Sequence, residues 1–229
     1  MNRKPTSDDS SNVTLKWSAC TDCGKVRKNN EDAFLGLQFD AREMHRLGKE
    51  GSATVAQQDY IFAVSDGMGG AKSGEFASRI TVDRVTRLLP RAFRMSATGL
   101  ASGFNDLIEE LILSIHQDLM KLGASYEECA GMGATLSLGW FTPEWMYFAH
   151  LGDSRAYLLR QGELSRITED QTWVQEVGRP MGLDEAALRD HPMRHVLTMA
   201  VGVAEPLRIG YHALKLEPGD ILLLSSDGL

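Results

Sequence analysis

Residues 59–70 read DYIFAVSDGMGG, and residues 220–228 read DILLLSSDG. In both, an apolar run typical of a buried strand is followed by Ser-Asp-Gly, which taken singly is an ordinary turn. A strand that ends in Asp-Gly places a carboxylate at a sheet edge, and the glycine lets the backbone turn sharply and expose a carbonyl. If the two strands pair or face each other, Asp66 and Asp227 converge, and their repulsion favours a cation between them. Hard ions such as Mg²⁺ or Mn²⁺ prefer such oxygen ligands.

Composition restricts the class of protein. The chain has 229 residues, of which 43% are hydrophobic, so it has enough apolar residues for a core. A net charge of −7 argues against a general nucleic-acid or membrane-surface binder, and no apolar run has the length of a membrane span. We interpret residues 1–13 as a disordered tail of a cytoplasmic protein and residues 14–229 as one domain.

Three other phosphate or metal chemistries fit poorly. A P-loop needs glycines where this chain has Asp66 and Ala71 ahead of Lys72-Ser73. The Cys20–Cys23 pair lacks a second pair of zinc ligands, so we expect the cysteines to be ordinary free thiols. Cys129 is not followed six residues later by the arginine that a cysteine phosphatase needs, because position 135 is threonine.

The hydrophobic pattern predicts an α+β fold of antiparallel sheets covered by helices. Helices are expected over Ser73–Leu89, ended by Pro90, over Phe104–Met120, and over Asp184–Arg189. We interpret residues 38–59 as a mobile surface loop. The predicted strands are Thr14–Ala19, Ala33–Leu37, Tyr60–Ser65, Ala134–Trp140, Trp145–Leu151, Ala156–Arg160 and Ile221–Ser225.

Two further charged segments are candidate site elements. In RKNNEDAF (27–34), Glu31 and Asp32 are adjacent and point to opposite faces of an extended chain, so one is free to reach a metal or its waters. Arg27 lies just upstream, and a guanidinium fits two phosphate oxygens. A solvated charged turn is the alternative. In GDSR (152–155), Asp153 and Arg155 are candidates for a structural ion pair.

Taken together, the motifs resemble a known family. RKNNEDAF, VSDGMGG with GEFAS, GMGATLSLGW, AHLGDSRAYLLR, Thr-x-Asp at 168–170 and LLLSSDGL occur in one order. That order is similar to the bacterial form of the metal-dependent serine/threonine protein phosphatases of the 2C type, the PPM family. The resemblance implies an αββα sandwich, two antiparallel sheets flanked by helices. It also implies hydrolysis of phosphoserine and phosphothreonine in proteins by water that two Mn²⁺ or Mg²⁺ ions activate.

The resemblance also implies roles for individual residues. Asp66 would bridge the two ions, Gly67 would contribute its carbonyl to one of them, and Asp227 would bind the other. Glu31 and Asp32 would hold waters of the metals. Arg27 would bind the phosphate and share the catalytic role with Asp66. The substrates would be phosphorylated proteins, made by a bacterial Ser/Thr kinase, and the enzyme would be a monomer.

Departures from the family pattern define an alternative. The given chain stops at Leu229, before the segment that carries a further metal-binding aspartate in the family, so a catalytically impaired binding or regulatory module is the second hypothesis. A third metal site is not expected, because Ala130 occupies its aspartate position. Met68 replaces a histidine proposed as general acid in some members. Gln171 and Ala134 replace a common histidine and threonine and are expected to affect only packing.

Overall fold

The computed structural model describes residues 13–40, 42–55, 58–97, 103–203 and 205–227. Its helices are α1 (Ala71–Ala97), α2 (Phe104–Ser125) and α3 (Glu185–Asp190), with a 3₁₀ turn at Glu127–Cys129 and a π-helical turn at Val174–Gly178. Its strands are β1 (Thr14–Ser18), β2 (Asp32–Phe39), β3 (Met44–Arg46), β4 (Glu50–Thr54), β5 (Asp59–Met68), β6 (Gly133–Ala134), β7 (Leu136–Phe141), β8 (Trp145–Leu151), β9 (Arg155–Arg160), β10 (Glu163–Arg166), β11 (Gly210–Lys215) and β12 (Ile221–Ser225).

The strands form antiparallel sheets. The large sheet has the order β11-β8-β7-β5-β2-β3, and β6 pairs with the end of β5. A smaller sheet has the order β10-β9-β12, and β1 pairs with β4. The hairpin from β9 to β10 turns at Gln161 and Gly162, which both have positive φ, as a tight two-residue turn requires.

Both faces of the large sheet are buried. Because side chains alternate along a strand, Ile61 and Ala63 pack in the cluster that contains α1 and α2, whereas Tyr60 packs in the cluster on the opposite face. Leu222 and Leu224 of β12 join that opposite cluster, so the small sheet lies over this face. The predicted mixed fold of antiparallel sheets and helices is confirmed. Leu164, Ile221 and Leu223 are exposed on the small sheet.

The predicted helices are present, but α1 and α2 both continue past their predicted ends, α2 from Met120 to Ser125. The stripe of α2 is buried as expected, and Asp184 caps α3 by accepting a hydrogen bond from the backbone N–H of Ala187. Helix α1 continues past Pro90 to Ala97. A proline removes one backbone hydrogen bond, and burial of the preceding turns, including Val85 and Leu89, holds the helix against that loss.

The prediction of a mobile loop over residues 38–59 is wrong. This segment contains β3 and β4, which pair with β2 and β1. The side chains of β3 and β4 are mostly exposed, so the sequence shows no alternation of apolar and polar residues that would predict strands there. The sequence analysis also missed β11, which pairs with β8.

Several other expectations concern the ends and the thiols. The disordered tail predicted for residues 1–13 lies outside the described residues except for Val13. Cys20 and Cys23 are exposed, Cys129 is buried, and all three are free, as predicted. No helix in the described ranges is long and apolar enough to cross a bilayer.

The end of β5 touches the first turn of α1 without any intervening side chain. A Cβ atom at Gly67 would overlap the carbonyl oxygen of Gly74, and one at Gly74 would lie 2.9 Å from the carbonyl oxygen of Gly67. Both contacts are to backbone, which cannot rotate away. The approach of helix to strand therefore depends on two glycines.

We predict that Gly67→Ala destabilises the protein by about 3 kcal/mol, because strand and helix must separate to admit the methyl group. Thermal or urea unfolding measures this change. Gly103→Ala is the matched control: a Cβ there meets nothing within 4 Å, so it should unfold close to the wild type. Equal stability of the two variants would contradict the close contact.

A histidine near the end of β8 is buried in the core. His150 of β8 is 2% exposed, and its ring nitrogens lie 2.9 Å from Ser137 Oγ and 3.1 Å from the carbonyl oxygen of Glu169. Burial lowers the pKa of His150 to about 4, although contacts with the backbone of Glu169 and Gly152 and the charge of Asp170 favour the charged form. The ring is therefore neutral at physiological pH.

This histidine should make the fold sensitive to acid. Its folded pKa lies below the unfolded value of about 6.5, so the unfolded chain binds the proton first as pH falls. We therefore expect protonation of His150 in the unfolded chain to lower the free energy of unfolding by roughly 3 kcal/mol as pH falls from about 6.5 to 4. Above neutral pH this group should have no effect on stability. Urea unfolding of wild type and His150→Asn across this range measures the difference. Parallel curves for the two proteins would contradict a neutral buried ring.

Candidate functional site

Strand pairing brings two predicted site residues together. Asp32 begins β2 and lies directly opposite Asp66, near the end of β5. In an antiparallel pair, directly opposite residues project from the same face with their Cβ atoms about 5 Å apart. The two carboxylates therefore share one edge of the large sheet.

Two further carboxylates approach this edge. Burial is the main effect that raises the pKa of Asp66 to about 7, and the charges of Asp32, Asp227 and Asp153 raise it further. The end of β12 also reaches β2 directly, because Ser226 Oγ donates a hydrogen bond of 2.8 Å to Asp32 Oδ2. The ends of β5, β2 and β12 therefore lie near one another.

Asp153 is a candidate site residue that the sequence analysis missed. Burial, followed by the charges of Asp227 and Asp170, raises the pKa of Asp153 to about 6. The ion pair suggested between Asp153 and Arg155 is wrong. Arg155 instead donates two hydrogen bonds, of 3.0 and 2.8 Å, to the carboxylate of Asp170. A signal was present: Gly152-Asp153 follows the apolar run of β8, just as Asp66-Gly67 follows the apolar run within β5.

The turn that carries Asp153 is fixed from below by a glutamine. Gln171 Oε1 accepts a 2.8 Å hydrogen bond from the backbone N–H of Gly152, and the backbone N–H of Gln171 donates to the Gly152 carbonyl. Its side-chain amide also donates to the carbonyl of Arg208. Gln171 thus has the structural role predicted for it.

Behind Asp66, a threonine holds the backbone. Asp66 N donates to Thr135 Oγ1, and Thr135 N donates to the Asp66 carbonyl, each at 2.8 Å. Ser65 Oγ donates to the Thr135 carbonyl at 2.7 Å, and Thr135 Oγ1 lies 2.6 Å from Ser154 Oγ. Thr135 divides the single strand predicted at 134–140 into β6 and β7. It joins the turns that carry Asp66 and Asp153.

The remaining predicted residues form the rim. Arg27 Nη1 lies 2.9 Å from Glu31 Oε2, and the Arg27 side chain is 66% exposed. The charge of Arg27 opposes the rise in the pKa of Asp66, so this guanidinium acts on the same edge. Gly67 N donates to the Glu31 carbonyl at 3.1 Å. The Gly67 carbonyl and the Glu31 carboxyl both lie against Gly74.

The donor chemistry of this edge fits hard divalent cations. Its donors are carboxylate oxygens and one backbone carbonyl, which suit Mg²⁺ or Mn²⁺ better than softer metals. Burial, and after it the charges of neighbouring carboxylates, raise the pKa of Asp66 and of Asp153, and a cation bound at this edge would favour the charged forms. Within the described residues, no group of three or more acidic, histidine or cysteine side chains is close enough to hold one ion as it stands.

Known proteins are similar to this chain in sequence and in fold. The family model described as Protein phosphatase 2C matches residues 49–229. The chain is 34% identical over 215 residues to a putative protein phosphatase 2C-type of Streptococcus pyogenes, with coverage of 94% of this chain and 79% of that protein. It is 30% identical over 210 residues to the serine/threonine phosphatase stp of Listeria monocytogenes, with coverage of 91% and 75%. The solved structure of the S. agalactiae serine/threonine phosphatase superposes with a TM-score of 0.72 at 29% identity, covering 95% of this chain and 81% of that one.

We predict that Thr135→Val lowers the free energy of unfolding by about 3 kcal/mol, because it leaves the buried Asp66 N–H and Ser154 hydroxyl without a partner. Thr81→Val is the matched control. That buried hydroxyl only donates to a helix carbonyl, so its loss should cost about 1 kcal/mol or less. Urea unfolding compares them, and a larger loss in the control would contradict the assigned network.

Proposed function

The chain belongs to the protein phosphatase 2C family, and from that premise we propose that it hydrolyses phosphoserine and phosphothreonine esters in proteins, with metal ions bound at the acidic sheet edge. The family predicted from the ordered motifs is confirmed. The observation that supports the site most strongly is the convergence of Asp32, Asp66, Asp153 and Asp227, with the pKa of Asp66 raised to about 7.

The proposed roles follow from the positions of the donors. Asp66, Asp227 and the Gly67 carbonyl would hold the cations, and Asp153, from its place among these charges, would join them. When bound, the cations would supply positive charge for the phosphate and the acidity that makes water a nucleophile near neutral pH. Asp32 and Glu31 would accept hydrogen bonds from the waters of the site and orient them.

Arg27 is proposed to bind the phosphate. Its exposed side chain carries a planar set of donors that matches two phosphate oxygens. Glu31 keeps the guanidinium at the rim, and a dianionic phosphate would compete for it with greater charge.

Met68 cannot donate a proton, so the departing alkoxide would take its proton from water.

Direct attack by water needs no nucleophilic side chain, and a Ser–His contact among the described residues that resembles a nucleophile pair is too buried to act as one. Ser137 Oγ lies 2.9 Å from His150 Nδ1. However, Ser137 and His150 are 0% and 2% exposed, and burial keeps the imidazole neutral by lowering its pKa to about 4. This pair supports the fold and is closed to substrate.

Finer features of the function are part of the proposal. We propose two Mn²⁺ or Mg²⁺ ions, substrates phosphorylated by a bacterial Ser/Thr kinase, action as a monomer and a cytoplasmic location. These rest on the sequence resemblance and on the relatives. No third ion is expected, because Ala130 cannot act as a ligand.

We expect the chain to hydrolyse p-nitrophenyl phosphate and phosphothreonine peptides with Mn²⁺, and to lose this activity with a chelator. Asp66→Asn should lower kcat/KM by about a thousandfold, because the charge that holds the cations is removed. Phosphate release measures both. Asp190→Asn, on the exposed end of α3, is the matched control and should retain wild-type turnover.

A folded wild-type chain that binds phosphopeptides without any metal-dependent turnover would contradict the proposed hydrolysis. That result would favour the binding or regulatory module instead.

A further inference from the structure

A groove of about 790 Å³ opens beside the acidic edge. Strand β2, the segment between β3 and β4, and the early turns of α1 line it. Asp32 lines the groove and also lies opposite Asp66, so the groove and the site share a residue. Its volume falls in the range of ligand sites. A peptide whose phosphate lies at the sheet edge would therefore enter this groove with its neighbouring residues.

The outer wall of the groove is held by main-chain contacts. Trp17 packs so closely on Gly51 that a Cβ there would overlap the indole ring, and Trp17 Nε1 donates to the carbonyl of Gly48 at 3.1 Å. The carbonyl of Lys49 accepts from Ala19 N at 2.7 Å. This wall is thus built independently of any substrate.

The charge of the groove is opposite to that of the whole chain. Arg46, Lys49 and Arg79 line it, in a protein whose net charge is −7. Arg46 and Lys49 are exposed, and neither forms an ion pair with any other described residue. Arg79 is paired with Glu75 at 3.0 Å, and Asp83, the other acidic residue of the lining besides Asp32, is paired with Arg87 at 2.9 Å. The cationic part of the groove is therefore the wall that carries Arg46 and Lys49.

An aromatic side chain adds apolar area. Phe76 of α1 lines the groove and is 44% exposed. An exposed phenyl ring beside cations suits a peptide chain, since it can cover side-chain methylenes while the cations pair with carboxylates.

Resting on the proposed function, we propose that this groove binds the residues that flank the phosphorylated side chain and selects substrates with acidic residues there. Arg46 and Lys49 determine this selectivity. They offset the repulsion that an acidic substrate meets at a protein of negative charge, so acidic flanks favour encounter and binding at this face.

Three phosphothreonine peptides that differ only in flanking Glu, Ala or Lys residues test the proposal. The readout is kcat/KM with Mn²⁺, divided by kcat/KM for p-nitrophenyl phosphate, which has no flanks. Wild type should favour the Glu peptide over the Lys peptide by about tenfold, and salt should weaken the preference because the groove is open to solvent. In the double variant Arg46→Glu, Lys49→Glu, the preference should vanish or reverse.

The matched control is Lys121→Glu with Lys215→Glu, which reverses two exposed lysines outside the groove and should keep the wild-type preference. A wild type without preference, or a groove variant that keeps it, would overturn the proposal. If p-nitrophenyl phosphate is not hydrolysed at all, the proposed function fails separately. The same peptides, fluorescently labelled, then decide the groove by their Kd ratio in anisotropy.

Discussion

Repulsion between carboxylates at one sheet edge is the constraint on which the structure depends. The register of β2 against β5 puts Asp32 opposite Asp66, and the ends of β8 and β12 add Asp153 and Asp227. Burial raises the pKa of Asp66 most, and the neighbouring carboxylates raise it further, so keeping these groups charged at this edge costs folding free energy. A fold selected for stability alone would separate these charges. Their concentration is explained by a ligand that carries positive charge.

The rest of the fold keeps these groups in place against their repulsion. Asp66 is fixed through its backbone by Thr135, while its side chain stays directed to the edge. Thr135 in turn contacts Ser154, next to Asp153, so one buried hydroxyl connects two of the acidic strand ends. Burial on both faces of the large sheet makes this register costly to change, since a slip by one residue would send every buried side chain to the wrong face.

Much of this arrangement could be predicted from sequence, because apolar strands that end in Asp-Gly carry both a structural and a chemical signal. Asp66 and Asp227 were found that way. Asp153 was missed since its neighbour Arg155 offered an apparent partner, and only the fold shows that Arg155 binds Asp170. Strands β3 and β4 were missed because β3 is held by backbone pairing with β2, and β4 by backbone pairing with β1 and packing of Trp17 on Gly51, and neither leaves a periodic apolar pattern. Pro90 misled for a related reason: burial elsewhere in α1 outweighs a local preference.

The anchoring of the groove wall has a consequence for evolution. Trp17, Gly48 and Gly51 hold this wall by indole packing and main-chain bonds, and its outward side chains take no part in that support. Positions 46 and 49 can therefore change identity without loosening the fold or disturbing Asp66. Gene duplicates would diverge in target choice through a few surface substitutions while their chemistry stayed constant. Paralogous enzymes with different protein substrates would arise readily on such a scaffold.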